Sequence, residues 1–419
     1  MPEMVSQSAR PVNQPPSKNK DIVSVSTARA FVDGHFNMGT PMIFIKTETT
    51  VKELLLHIIN RDETTLDTAA CATLFHEYVH LLQSVLFYAC QLPAIVRHWH
   101  IWDLYQTAQQ RKGTVQNLFP VEKSPLCNEW EMRNSISMKR GVCVGTSDGK
   151  PYHLTLLDVV EGVARILEEG YLGHTLNENQ LPYTTIRALN NSLFQNNPLS
   201  EYELLDVCEV ALMKEFPGEA FVSLCRIVDV EEIPRGECFY SELCRVAVAY
   251  GLGDMKSQAE MIVANTKGVF TSNIFEDYVR QIESLYNGIT KCFEGKRPIF
   301  SSLLRSVKNQ EHRGLPNEML MLLMQYGSVP FENSLGIIEQ FDRQQQSEIS
   351  VNAVAINAFV SNLVDSEGCG ECMMAASCRG ACLPVDDTCL KYPWRKVIPG
   401  GLCPYLAVKR AFGLDGMIL

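Results

Sequence analysis

The residues with the clearest chemical potential are two histidines and a glutamate in an apolar stretch. They occur as His76-Glu77-Tyr78-Val79-His80, inside a run that reads as one helix. Positions i and i+4 of a helix lie one turn apart on the same face, so the two imidazoles can converge on one metal ion. Glu77 lies beside them, where a carboxylate can take a proton from a metal-bound water. The spacing predicts a metal centre with His76 and His80 as ligands and Glu77 as general base.

The helix that carries these residues is apolar nearly all round, which predicts that it is buried. Polar side chains in such a place need partners, and a metal ion is the usual partner for two histidines. The alternative is a cluster of polar side chains that satisfy one another in the core. The apolar residues of this stretch are Ala69, Ala70, Ala72, Leu74, Phe75, Val79, Leu81, Leu82, Val85 and Leu86.

A third protein ligand is expected on a later helix. Residues 157–169 form an amphipathic pattern with small residues beside Glu161, and small residues let helices approach closely. Two histidine ligands leave a zinc ion in need of a third, so Glu161 is the candidate. The alternative is a carboxylate favoured only by the helix dipole. Glu168 lies two turns further on and can instead orient a histidine by a hydrogen bond.

A second group of potential ligands is crowded near the end of the chain. The chain has 15 cysteines, most of them scattered through apolar stretches as small core residues. Thiolates at high density in a reduced compartment normally hold zinc or an iron–sulfur cluster, and the spacing does not decide between them. We therefore predict that metal orders this tail, whose cysteines are Cys369, Cys372, Cys378, Cys382, Cys389 and Cys403.

Composition limits the classes of function. The 419 residues are 46% hydrophobic and 20% charged, with a formal net charge of -11. This balance is typical of globular proteins, and it argues against a nucleic-acid-binding or anionic-membrane surface, which needs clustered Lys and Arg. The first 20 residues lack the apolar core of a signal peptide, so a cytoplasmic protein with reduced thiols is expected. No phosphate-binding glycine loop or nucleophile elbow is present.

The pattern along the chain predicts a mostly α (α+β) fold in four regions. Residues 1–22 read as a disordered tail, and 23–183 as the metal-binding region with a small β-sheet. Its elements are a strand at 40–47, a helix at 51–60, the motif helix ending by Pro93, a further helix to Gln110, a loose segment at 113–150 and a hairpin within 139–156. Residues 184–366 are predicted to form a series of helices, two of them at 256–266 and 316–325, and residues 367–419 form the cysteine-rich segment.

Two resemblances to known families follow from these motifs. The stretch Leu74–Gln83, together with Glu161-Gly162-Val163-Ala164-Arg165, resembles the gluzincin metallopeptidases over roughly residues 40–170. In that family the two motif histidines and a later helical glutamate bind zinc, and the motif glutamate is the base. The resemblance implies zincin-like catalytic helices, zinc bound by His76, His80 and Glu161, and Glu77 as general base.

The cysteine-rich tail resembles the SPASM domain of radical-SAM peptide-modifying enzymes. Its spacing is C-x2-C-x5-C-x3-C, followed later by Cys403-Pro404. The resemblance implies that Cys369, Cys372, Cys378 and Cys403 hold one four-iron four-sulfur cluster, with Cys382 and Cys389 as further candidate ligands. The companion C-x3-C-x2-C motif does not occur in the chain, so radical chemistry is not implied.

Three functions remain open from the sequence. The first is a zinc peptidase acting on a peptide or protein substrate through activated water. The second is a non-haem iron oxygenase that modifies peptides, since two histidines and a carboxylate also form the facial triad. The third is a non-catalytic peptide-binding protein. The sequence does not identify a transition-state donor, for which Tyr250, His153 and His174 are candidates, nor the oligomeric state.

Overall fold

The structure of the protein is a computed structural model. Residues 34–419 form one compact unit, and the predicted boundaries at residues 183 and 366 fall inside it. The helix predicted at 256–266 is described only at residues 260–262 and 264, which are helical. The helix predicted at 316–325, most of that at 51–60, and the predicted tail at 1–22 lie outside the described residues. The structure describes residues 34–39, 42–47, 50, 53–54, 68–111, 121–145, 151–176, 181–253, 260–262, 264, 273–309, 330–335, 338–339, 347–365, 370–380, 383–396 and 403–414.

The described part is mostly helical with two small sheets, as the sequence predicts. The strands are β1 Gly34–Asn37, β2 Met42–Ile45, β3 Val142–Gly145, β4 Pro151–Leu154, β5 Phe331–Asn333 and β6 Ile338–Glu339. The helices are α1 Thr68–Leu86, α2 Tyr88–Gln110, α3 Pro125–Lys139, α4 Leu156–Leu172, α5 Thr185–Leu193, α6 Glu201–Leu212, α7 Pro217–Val230, α8 Phe239–Ala249, α9 Asn273–Phe293, α10 Ile299–Lys308, α11 Ser347–Val360, α12 Ala375–Gly380, α13 Asp387–Lys391 and α14 Pro404–Ala411.

The larger sheet joins distant parts of the chain beside the motif helix. Its strand order is β1-β2-β5-β6, with β1 antiparallel to β2 and β2 parallel to β5. Both β1 and β2 pack on α1. The predicted hairpin is present as β3 paired with β4, and Val142 lies opposite Leu154.

The motif helix ends before Pro93, as the sequence predicts, but the proline is not what ends it. Helix α1 stops at Leu86, because Phe87 adopts an extended conformation (φ -125°, ψ 128°), and the chain bends by 81° into α2. Pro93 then lies inside α2 rather than ending a helix. It falls in the second turn, where proline removes one backbone hydrogen bond without dividing the helix. The bend lets two apolar helices pack on each other instead of forming one long rod.

Helix α3 lies in the segment predicted to be loose. Ser124 is its N-cap and accepts a hydrogen bond from the Cys127 backbone N–H at 3.1 Å, and Pro125 occupies the first helical position. Serine followed by proline is a recognised helix-start signal. The apolar residues of α3 are few and largely exposed, so hydrophobic periodicity gave no indication of it.

Helix α4 is the second element that positions the site. Thr155 and Asp158 form a capping box at its start, and the Thr155 backbone N–H donates to Asp158 Oδ2 at 2.7 Å. Gly173 ends the helix in the left-handed region with φ 71°, which glycine adopts without steric strain. Between these ends, α4 packs along α1 through buried residues that include Val160, Val163 and Ala164.

Membrane-spanning potential is limited among the described residues. No single helix there has both the length and the apolar character needed to cross a bilayer, although α1 and α2 together would meet those criteria as a bent pair.

Acid is expected to destabilise the protein through His98 in α2. Burial lowers the pKa of His98 from its usual 6.5 to about 4. Between those pH values the unfolded chain binds more protons than the folded chain, so the free energy of unfolding falls as the pH is lowered. Below pH 4, this loss in the free energy of unfolding reaches about 3 kcal/mol. Urea unfolding of the wild type and His98→Gln at pH 7 and pH 4.5 should show a smaller pH-dependent loss in the variant; an equal loss would contradict the assignment.

Candidate metal centre

Two histidines and one glutamate from separate helices converge at the α1–α4 contact. Oε2 of Glu161 lies 3.3 Å from Nε2 of His76 and 3.3 Å from Nε2 of His80. All three ligand atoms lie within 4.8 Å of one another. Both histidines are buried, and the Glu161 side chain keeps 18% of its surface exposed. The structure therefore brings together the three residues that the sequence singled out as metal ligands.

The opposite nitrogen of each imidazole is held by its own hydrogen-bond partner. Nδ1 of His76 lies 3.1 Å from Oε2 of Glu168, and Nδ1 of His80 lies 2.8 Å from Oε1 of Gln83. These acceptors favour a proton on Nδ1, so in the neutral rings the Nε2 lone pairs face Glu161. Carboxylate or amide partners of this kind fix the ring orientation of metal-binding histidines. The orienting role considered for Glu168 fits this contact.

Gln83 was missed by the sequence reasoning. Its Oε1 accepts from His80, while its Nε2 donates to the backbone oxygen of Val160 at 3.1 Å. Gln83 is fully buried and ties the histidine helix to the helix that carries Glu161. The sequence contains one indication of this role: Gln83 is three positions after His80, and residues three apart on a helix lie on the same face.

The small residue beside Glu161 serves a different contact from the one predicted. A Cβ built on Gly162 would overlap the side chain of Ile186 at the start of α5. Gly162 therefore allows α5 to approach α4, and it is not the residue that brings α4 to α1. A polar link between α1 and α4 is the hydrogen bond from Gln83 to the backbone oxygen of Val160.

Burial and mutual charge shift the ionisation of this group strongly. Burial would lower the pKa of His76, but hydrogen bonds to Glu161 and Glu168 raise it to about 10. Burial likewise opposes protonation of His80, and the nearby Glu161 raises the pKa of His80. For Glu161, burial would raise the pKa, but His80 and His76 hold it below its usual range. The three groups form a cation–carboxylate cluster in which a bound metal ion would take the place of the protons.

Glu77 lies beside the ligands with one oxygen unpaired. Glu77 is 4% exposed, and its Oε2 is buried without a hydrogen-bond partner among the described residues. Burial raises the pKa of Glu77 to about 7. Strand β1 crosses close by, since a Cβ on Gly34 would lie 3.0 Å from Oε1 of Glu77 and would overlap Thr73. A buried carboxylate of this kind can accept and release a proton near neutral pH.

The ring of Tyr183, which was not a candidate from the sequence, lies beside His76. The ring centroids of Tyr183 and His76 are 6.0 Å apart. Burial raises the pKa of Tyr183 to about 12, with further contributions from Glu161, Glu77 and Glu168. The phenol therefore remains protonated at neutral pH and can donate a hydrogen bond.

The three donors considered from sequence have other partners. The hydroxyl of Tyr250 contacts Glu231, and Nε2 of His153 lies 3.0 Å from the backbone oxygen of Lys139. Nδ1 of His174 lies 3.1 Å from the backbone oxygen of Leu172. The structure therefore gives no support to Tyr250, His153 or His174 as donors at the metal centre.

Four of the six tail cysteines surround a second, separate cavity. Its lining includes Cys372, Cys378, Cys389 and Cys403, together with Lys396. The other two tail cysteines, Cys369 and Cys382, lie outside the described residues. The structure thus joins Cys389 to three cysteines of the set implied by the SPASM resemblance.

Another close group of potential metal ligands is formed by His100, Cys127 and Glu131, but it is less suited to bind a cation. Oε1 of Glu131 lies 2.6 Å from Nε2 of His100 and 2.6 Å from Nζ of Lys123. The lysine already neutralises the only carboxylate of the group, which disfavours a second positive charge there.

The fold and site together define a mostly helical protein with a buried two-histidine, one-glutamate group. Comparisons with protein-family models, with curated proteins and with solved structures find no match.

Removal of the Gln83 amide should weaken metal binding without unfolding the protein. Gln83→Leu deprives Nδ1 of His80 of its acceptor, and loss of such partners typically lowers metal affinity about 10–100-fold. Gln83→Glu is the matched control, because it retains an oxygen opposite Nδ1. Competition of each variant with a fluorescent zinc chelator measures the affinity. Equal affinities for Gln83→Leu and the wild type would contradict the orienting role.

Proposed function

We propose that the protein is a zinc-dependent peptidase whose metal is held by His76, His80 and Glu161. The observation that carries the proposal is the position of Oε2 of Glu161, 3.3 Å from Nε2 of both histidines. A His2Glu donor set with one open position is typical of catalytic zinc sites. Such a zinc ion would lower the pKa of its water toward about 7 and polarise a substrate carbonyl.

Both the three candidate ligands and the residues that hydrogen-bond to the histidines suit a zinc ion. The ligand atoms converge within 4.8 Å, and both Nδ1 atoms have acceptors that direct Nε2 inward. The pairing of His76 with Glu168 is the carboxylate–histidine arrangement that raises ligand basicity. The unpaired Oε2 of Glu77 supports a further bound group in this buried place.

Glu77 supplies the proton transfer in this proposal. Its carboxylate accepts a proton from the attacking water and delivers it to the leaving amine, as a general base and then a general acid. Burial raises the pKa of Glu77, which favours uptake of this proton. The ring of Tyr183 lies beside His76, and burial raises the pKa of its hydroxyl, so the phenol is protonated at neutral pH.

A peptide-library digestion tests the proposed activity. The full-length protein should cleave a subset of peptides, lose the activity after dialysis against a chelator and regain it with zinc. Metal analysis of aerobic and anaerobic preparations accompanies the digestion. Stoichiometric iron at the site, with peptide oxidation instead of cleavage, would support the oxygenase alternative; zinc binding without cleavage of any peptide would support the binding protein.

A further inference from the structure

A buried guanidinium lies next to the carboxylate that orients His76. Arg165 is four residues after Glu161 on α4, so the two side chains lie on the same face of the helix, one turn apart. Nη1 of Arg165 donates a hydrogen bond to Oε2 of Glu168 at 3.4 Å. The same Oε2 lies 3.1 Å from Nδ1 of His76. The guanidinium therefore reaches the imidazole through one shared carboxylate oxygen.

The guanidinium of Arg165 contacts two further side chains. Its Nε lies 3.2 Å from Oε1 of Glu169, within ion-pair distance although not in hydrogen-bond geometry. Its Cζ lies 5.8 Å from the ring centroid of Tyr183, close enough for a cation–π contact. A planar guanidinium can meet two carboxylates and an aromatic face at once, whereas the compact charge of a lysine cannot. Arg165 therefore links Glu168 to Tyr183, and both of these lie beside the same imidazole.

Glu169 is anchored in turn by other helices. Its Oε2 pairs with Nη1 of Arg187 on α5, and Nη2 of Arg187 lies 2.6 Å from Oε1 of Glu201 on α6. Oε2 of Glu201 lies 2.8 Å from Nζ of Lys308 on α10. Charges of alternating sign thus connect α4, α5, α6 and α10. This network holds Arg165 in one position from the side away from His76.

Burial makes the contact between Arg165 and Glu168 important for the orientation of the histidine. Both residues are buried, and a buried carboxylate needs fixed donors or cations as partners. A carboxylate that loses one of two such partners can rotate toward water. His76 would then lose the acceptor that keeps its Nε2 directed at the other ligands.

We propose that Arg165 is a positioning residue of the metal centre, which holds Glu168 against Nδ1 of His76. The inference rests on the proposed function, because it requires a metal ion bound by His76, His80 and Glu161. Arg165 acts through Glu168 and is neither a metal ligand nor a proton donor in the reaction.

The zinc affinity of Arg165→Met tests the proposal on the full-length protein. Methionine keeps an unbranched side chain but removes the charge and the hydrogen-bond donors. Competition with a fluorescent zinc chelator should show an affinity about 10-fold lower, at the lower end of the range for partners that orient a ligand. Arg245→Met is the matched control, since Arg245 is exposed and pairs with Glu242 on α8, and it should bind zinc like the wild type. Wild-type affinity in folded Arg165→Met would overturn the proposal.

A double-mutant cycle separates positioning from a general effect on stability. Glu168→Leu removes the acceptor through which Arg165 acts, so its loss of zinc affinity should already include the loss caused by Arg165→Met. The combined variant should therefore bind zinc as weakly as Glu168→Leu alone. A further loss of about 10-fold in the combined variant would mean independent effects and would overturn the proposal.

Arg165→Lys keeps the proposal testable if Arg165→Met does not fold. The lysine retains a long side chain and a positive charge, but its ammonium group cannot meet Glu168 and Glu169 in one plane, so zinc affinity should still fall. Wild-type affinity in this variant would overturn the role of the guanidinium.

Glu161→Gln separates a failure of this inference from a failure of the proposed function. The zinc that this variant loses relative to the wild type is the zinc of the centre on α1 and α4. If Glu161→Gln loses no zinc, the proposed metal centre itself is wrong. If it loses zinc while the Arg165 variants bind zinc like the wild type, only the positioning role of Arg165 is wrong.

Discussion

Replacement of Glu77 by glutamine is expected to reduce peptide hydrolysis about 10²–10⁴-fold, the range that general acid–base catalysis supplies. Glutamine has nearly the same shape, so α1 should pack as before, but its amide cannot take up a proton. The metal ligands are untouched, and zinc content should remain that of the wild type. Measurement of kcat and KM, with zinc content from the same preparation, gives both quantities.

The control for this substitution is Glu129→Gln on α3, where the carboxylate pairs with Arg133 at the surface. That variant should hydrolyse peptides at the wild-type rate, because exposed ion pairs contribute little to stability. Normal hydrolysis by Glu77→Gln would mean that another group moves the proton.

Replacement of Glu161 by glutamine is expected to remove the metal. The amide keeps the size of the side chain but loses the negative charge that faces Nε2 of His76 and His80. Loss of a residue that only orients a ligand lowers affinity about 10–100-fold, so loss of the ligand itself should exceed that range. Zinc affinity measured by chelator competition and peptide hydrolysis should therefore fall together.

Glu122→Gln is the matched control, since this glutamate is largely exposed and pairs only with Arg111 among the described residues. Circular dichroism would show whether both variants keep their helices. If Glu161→Gln bound zinc with wild-type affinity, the third ligand would have to be another residue, and Glu168 would be the first to examine.

The face of α1 that carries both histidines could be predicted because it depends on local geometry. His76 and His80 are four residues apart, and helical periodicity alone puts them on one face. Glu161 could be proposed only as a candidate. Its contact with His76 joins residues 85 positions apart, and it depends on the way α4 packs on α1. The role of Gln83 as a link between the two helices depends on its hydrogen bond to the backbone oxygen of Val160, which the sequence alone does not show.

Helix boundaries were predictable where side-chain patterns were strong. Proline at position 93 suggested the end of a helix, but the break occurs at Phe87, where tertiary packing of α1 and α2 favours an extended residue. Helix α3 carries few buried residues, so its Ser124-Pro125 start was the only strong signal. Short or exposed elements leave little hydrophobic periodicity in a sequence.

The tail shows the limit of spacing as a guide to ligands. The C-x2-C-x5-C pattern drew attention to Cys369, Cys372 and Cys378, whereas the fold puts Cys389 beside Cys372 through a backbone hydrogen bond. The turns between the short helices determine which thiols lie close together. Turn residues show no hydrophobic periodicity, so the sequence does not reveal this arrangement. The crowding of cysteines was visible in the sequence, but the fold was needed to show that Cys372, Cys378, Cys389 and Cys403 line one cavity.

Anomalous scattering at the zinc absorption edge, recorded from crystals of the full-length protein, tests whether His76, His80 and Glu161 bind zinc. A peak is expected about 2.0–2.2 Å from Nε2 of His76, Nε2 of His80 and a carboxylate oxygen of Glu161. Glu77 should lie next to this peak without ligating it. A zinc-soaked crystal with no peak between these three residues, or with zinc bound only elsewhere, would contradict the proposed metal centre.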